Sequence, residues 1–164
     1  MDDVEAAYRR YFGVIREKCR RMLADFAEAD DVAQETFVRL WRAGLAGEDS
    51  RRVLAWIYRT GTRLAIDLLR ARSRIASADG ETTALARLAS LAPNGEDALG
   101  TRQTLAALAA SLPADELEVA LLSRIDGLTQ AEIAEVSGVS ERTERRSLRR
   151  LEQRIATLRK ETLP

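Results

Sequence analysis

The chain has 164 residues, enough for one domain of ordinary size or two small ones. Hydrophobic residues make up 46% and charged residues 32%, which suits a soluble protein with a buried core, and no apolar run nears the roughly 20 residues that span a bilayer. Twenty-six basic residues balance twenty-six acidic ones; with no histidine and only Cys19, the chain lacks Ser-His and Cys-His nucleophile pairs, His-ligated metal sites, an intramolecular disulfide and a thiolate metal centre.

The apolar spacing is helical throughout and no strand pattern stands out, so an all-α fold is expected. A first helix is expected from about Val4 to Asp25. Its start, MDDVEAAYRRYF, lacks the basic-then-apolar order of a secretory signal. Within it, Cys19 lies among arginines in REKCRRM, either a redox-sensitive thiol or a plain helix residue. A second helix is expected from about Ala29 to Ala43, with Ala29, Val32, Ala33, Thr36, Phe37, Leu40 and Trp41 as its apolar stripe and GLAG at its end. The opposite face of Asp30, Asp31, Gln34, Glu35, Arg39 and Arg42 is either solvated or a partner surface.

A third helix is expected from about Arg52 to Arg72, with Leu54, Ile57, Tyr58, Gly61, Ala65 and Leu68 on one face. Trp56, Arg59, Arg63, Asp67 and Arg70 line its other face. An aromatic among arginines can stack on an unpaired base while the cations follow the phosphates; Trp56 as a buried core residue is the equally open alternative. Ser77 to Gly100 is rich in small residues and carries a PNG turn signal, so it reads as a flexible linker, within which TALARLASLA has helical spacing. A second helical unit follows from about Thr101.

Thr129 and Glu132 form a capping-box pattern before Ile133, Ala134 and Val136. Gly138 then suits a tight turn, Ser140 suits a second N-cap, and Leu148, Leu151, Ile155 and Leu158 can anchor the helix that follows. Helix, short glycine-containing turn and capped helix make a helix-turn-helix. On the second helix Arg142, Arg145, Arg146 and Arg149 share one face, and arginine forks match both guanine edges and phosphate oxygens. A solvated basic face is the plain alternative.

Charge is segregated along this neutral chain. Residues 51–74 carry a net +6, residues 115–141 a net −6 and residues 142–160 a net +6. Two basic stretches suit a polyanion-binding protein with two contact surfaces.

Together these segments resemble the extracytoplasmic-function (ECF) group of bacterial RNA polymerase sigma factors. ADDVAQETFVRLWR resembles the region 2 helix that docks on the coiled coil of the polymerase β′ subunit. VLAWIYRTGTRLAIDLLRARSR resembles the next helix, which binds and melts the −10 element, and LPADELEVALLSRIDGLTQAEIAEVSGVSERT resembles region 4, which reads the −35 element. The resemblance covers about residues 5–160 and implies two small helical domains: a three-helix-type region 2 bundle over 1–76 and a region 4 helix-turn-helix domain over 101–164. The linker over 77–100 would thread toward the polymerase active-site channel.

By position, the resemblance implies polymerase contacts at Asp30, Asp31, Gln34, Glu35 and Arg39. It implies −10 contacts at Trp56, Arg59, Arg63, Asp67 and Arg70, and −35 contacts at Arg142, Thr143, Arg145, Arg146 and Arg149. The implied partners are core RNA polymerase (β′ coiled coil and β flap), promoter DNA and an anti-sigma factor. No membrane partner, cofactor, metal or covalent chemistry is expected, the location is cytoplasmic, and with no attached sensor domain expected, control would come from another molecule, from synthesis or from degradation.

Glu144 stands where the family usually has an apolar residue, and Ser147 where an arginine is common. Glu144 would then face solvent on a slightly rotated helix or accept from a cytosine amino group. The alternatives are a dimeric helix-turn-helix regulator that never binds polymerase, and a sigma-derived adaptor without promoter recognition, for which Glu144 is the support.

Overall fold

The protein was analysed as a computed structural model in which residues 2–73 and 98–162 are described. Seven helices account for them: α1 (Asp2–Leu23), α2 (Phe26–Ala43), α3 (Ser50–Ser73), α4 (Ala98–Ser111), α5 (Ala114–Arg124), α6 (Gln130–Ser137) and α7 (Glu141–Thr162). There is no strand among the described residues, and the fold is all-α. The expected helix within TALARLASLA and the anchoring side chain of Leu158 lie outside the described residues, as does most of the expected linker. Its last three residues, Ala98 to Gly100, already belong to α4.

The chain divides into two compact units, Met1–Ala65 and Ile66–Pro164. The division falls inside α3, eleven residues before the expected end of the first domain at position 76. On the later side of that division the Arg70 guanidinium donates to main-chain oxygens of Ala109 and Leu112.

In the first unit, α1 and α2 are joined by only two residues and pack against each other. Ala24 takes a left-handed conformation (φ 51°), and its N–H donates to Arg20 O at 2.9 Å. Asp25 then caps α2, its carboxylate accepting from Glu28 N at 2.9 Å. That cap starts α2 at Phe26, a turn earlier than the apolar stripe alone suggests. Gly44 ends it in the left-handed region, with φ 66°.

Ile15, Cys19, Met22, Leu23, Ala29, Ala33, Leu40, Ile57 and Ala65 are fully buried, and Phe37 nearly so. Cys19 is thus a core residue, which removes the exposure that a redox-sensitive thiol requires. The three helices meet at Gly61, where an added Cβ would lie 3.5 Å from both Ile15 Cγ2 and Thr36 Oγ1. Trp41 departs from the expected stripe: it is 60% exposed while Leu40 is fully buried, because one residue step turns it about 100° round the helix, past the edge of the buried stripe.

In the second unit, α5 is enclosed. Leu117, Glu118, Val119, Ala120, Leu121 and Leu122 are consecutive and all buried, as in a helix surrounded on every side. α6 and α7 pack on it and on each other. Ile133 and Ala134 from α6 join Leu148, Leu151 and Ile155 from α7 in this core. Arg154 on α7 donates to Glu116 on α5 at 3.2 Å.

Candidate functional site

The helix-turn-helix forms as its sequence dictates. Thr129 Oγ1 accepts from Glu132 N at 3.3 Å, while the Glu132 carboxylate accepts from Thr129 N at 2.7 Å and from Thr129 Oγ1 at 2.9 Å. These bonds, the main-chain one first and the hydroxyl one second, hold the Glu132 carboxyl below its ordinary value of 4.5. Gly138 makes the turn at φ 70°, its N–H donating to Ala134 O at 3.0 Å. Ser140 Oγ accepts from Thr143 N at 3.3 Å and so caps α7.

With both caps in place, Arg142, Arg145, Arg146 and Arg149 all project from the exposed side of α7. Only Arg145 meets an acid in its own helix, and Glu141 stands 4.0 Å away. Thr143 is also exposed, but its hydroxyl lies 3.0 Å from that of Ser140, so the cap and any outside partner share it. Arg150, one turn beyond Arg146, is exposed beside this face and extends it. The i+4 step from Arg146 was the signal for it.

Glu144 is the correction on this helix. It neither faces solvent nor is free to meet a cytosine: it is 2% exposed, and its Oε1 accepts from Ser137 Oγ at 2.6 Å. The helix is not rotated. Glu144 stands four, seven and eleven residues before Leu148, Leu151 and Ile155, in line with the buried stripe.

On α3 the five expected contact residues are not equally available. Arg63 and Asp67 are exposed, and Trp56 and Arg59 are half-buried, with Arg59 Nε enclosed and lacking a hydrogen-bond partner. Arg70 donates from Nε to Ala109 O at 3.3 Å and from Nη2 to Leu112 O at 3.2 Å. The last carbonyls of a helix lack intrahelical donors and carry its negative dipole end, so a guanidinium fork suits them.

On α2, Asp31, Gln34 and Arg39 are exposed, and half-buried Glu35 accepts from Arg39 Nε at 2.9 Å. Asp30 turns toward α1 and pairs with Arg16 at 2.6 Å. Val38 (38% exposed) and Trp41 (60%) share the outer side with the polar residues. Sequence reasoning missed both, since it assigned Trp41 to the core and left Val38 unassigned. Among the described residues no three acidic or cysteine side chains gather where they could hold a metal ion, and no helix is long and apolar enough to cross a membrane.

Comparison with known proteins agrees with this arrangement region by region. Residues 7–75 match Sigma-70 region 2, and residues 102–155 match Sigma-70, region 4. The chain is 31% identical over 138 residues to the ECF RNA polymerase sigma factor SigW of Bacillus subtilis, covering 79% of this chain and 74% of that one. It is 34% identical over 141 residues to the ferric citrate uptake sigma factor FecI of Escherichia coli K12, covering 83% and 79%. A probable RNA polymerase sigma factor, RfaY of Xanthomonas campestris, is 33% identical over 143 residues; the match takes in 85% of this chain but only 35% of that longer protein. With both regions present in order on one chain, and SigW and FecI matched over most of their length, the chain belongs to the ECF group of RNA polymerase sigma factors.

Proposed function

We propose that this chain binds core RNA polymerase through α2, brings residues 1–76 to the −10 element and residues 101–164 to the −35 element, and helps to open the duplex. The observation that carries this reading is the exposed arginine face of α7, presented by a fully capped helix-turn-helix on the same chain as a region 2 match. Arg142, Arg145, Arg146 and Arg149, with Arg150 beside them, supply forks for guanine edges and phosphates. Trp56, Arg59 and Arg63 supply a stacking surface and cations for an unpaired strand. Asp31, Gln34, Glu35 and Arg39 supply the polar part of the polymerase face, and Val38 and Trp41 its apolar part.

The chain performs no covalent step in this scheme; polymerase does. It acts in the cytoplasm, where polymerase is, with β′ coiled coil and β flap as the contacted parts. An anti-sigma factor that covers these same faces is the expected control.

DNA affinity rests on neutralised phosphates. A chain of zero net charge therefore binds DNA weakly alone and gains from polymerase holding both basic surfaces in line, which raises the effective concentration of the second contact. The burial of Glu144 removes the ground for an adaptor without promoter recognition, since the residue does not disturb the outward face.

The test is co-purification with core polymerase. The unsubstituted chain is expected to be retained. Asp31→Lys with Glu35→Lys is expected to abolish retention with helicity unchanged, and undiminished retention removes α2 as the docking face.

A further inference from the structure

Along the first two turns of α7, from Glu141 to Ser147, one side chain alone is buried, and it is Glu144. Leu148, the first buried apolar residue of the helix, comes only after Arg142, Arg145 and Arg146. The partner of Glu144 is Ser137, 5% exposed and the last residue of α6, so their 2.6 Å bond spans the turn made by Gly138, Val139 and Ser140. Ser137 Oγ is held from the other side as well, 2.6 Å from Ile133 O. A hydroxyl has one proton, so the Ile133 carbonyl and the Glu144 carboxylate share it, with the hydroxyl held between them. Glu144 Oε2 is enclosed without a hydrogen-bond partner, which leaves the Ser137 bond as the polar tie of this carboxyl to α6.

We infer that Ser137 and Glu144 form a polar latch that sets the rotation of α7 about its axis, which makes Glu144 a positioning residue for −35 recognition and not a base-reading one. This inference rests on α7 being the −35 helix. One residue step on a helix is a rotation of about 100°, so the inward direction of Glu144 determines where Arg142, Arg145 and Arg146 point. Without the latch the nearest inward side-chain anchor is Leu148, beyond the turn that carries those arginines, and the Ser140 cap remains at the start of the helix. The latch is a matched pair. Loss of Ser137 strands the Glu144 carboxylate in the core, and loss of Glu144 leaves Ser137 its bond to Ile133 O but takes the polar tie from α7, whereas replacement of both by apolar groups of similar size leaves nothing stranded.

The test uses holoenzyme reconstituted from the full chain and core polymerase. Affinity is measured for a promoter and for the same promoter with each −35 position permuted in turn, beside helicity and thermal unfolding of each free variant. Ser137→Ala and Glu144→Ala are each expected to lower affinity for the intact promoter about tenfold, the worth of one well-formed bidentate arginine contact. Affinity for promoters with a scrambled −35 element should stay the same, and so should the preferred base at every position. A general loss of folding would lower both affinities alike. The pair Ser137→Ala with Glu144→Leu is expected to return to within about twofold of the unsubstituted protein.

A change of preferred base at one position in Glu144→Gln would overturn the inference, because Glu144 then reads a base. A loss in Glu144→Ala with none in Ser137→Ala would also overturn it, because the bond then sets nothing. If the unsubstituted holoenzyme is indifferent to the −35 sequence, the reading of α7 itself fails, and the latch with it.

Discussion

Trp56 and Arg63 stand two turns apart on α3, the first half-buried and the second exposed, and under the proposed −10 role they would divide the labour that a melted strand requires. A ring stacks on an unpaired base and has little to offer a closed duplex; a cation serves either form. Trp56→Ala is therefore expected to slow promoter opening, followed by permanganate reactivity of the −10 thymines, more than it weakens the closed complex. Equal losses in both would make Trp56 structural. Glu132 gives a prediction in pH. Its bonds to Thr129 lower its folded pKa below 4.5, so its contribution to stability is complete above that value and is lost as pH falls through the lowered one. Glu132→Gln should accordingly show a smaller fall in Tm between pH 7 and pH 4 than the unsubstituted chain. An identical fall would mean that the capping box is not formed in solution.

The helices show what spacing conveys and where residue type misleads. The core of α2 followed from the stripe that begins at Ala29, and the helix-turn-helix followed from Thr129, Gly138 and Ser140, because apolar period and cap chemistry act within a few residues. Trp41 was misplaced because a large apolar residue four after Phe37 is ordinarily core, yet it stands at the edge of the stripe, about 100° round from buried Leu40. Glu144 was misplaced for the opposite reason: its spacing to Leu148 and Leu151 puts it inside, but its charge suggested the surface, and the partner that accommodates it is on the preceding helix. The bonds of Arg70 to Ala109 and Leu112 cross about forty residues and have no local signal at all. Two predictions belong at this scale. Trp41→Ala should lower polymerase affinity at least about tenfold while Tm stays the same, since an aromatic anchor at an interface is worth that much and the ring is mostly exposed in the free chain; unchanged affinity would exclude it from the docking face. Gly61→Ala should be neutral or raise stability by about 0.5–1 kcal/mol, because a Cβ at 3.5 Å from its neighbours is ordinary contact and alanine is the better helix former. Gly61→Leu should unfold the first unit, as judged by thermal denaturation.

At the scale of the molecule, neutrality is the organising fact. Basic segments over 51–74 and 142–160 are offset by acidic residues elsewhere, so neither gives the free chain a strong long-range pull on DNA, and on the proposed reading promoter choice passes to an assembly in which polymerase aligns them. The most direct measurement of that claim is run-off transcription from a library of random promoters, with the purified chain present alone, with core polymerase, and with core polymerase in its absence. Transcripts only when both are present, from templates enriched in two motifs at a fixed −35 to −10 spacing, are the predicted result. Tight binding of a single palindromic site by the chain alone, with no transcripts when polymerase is added, would contradict it.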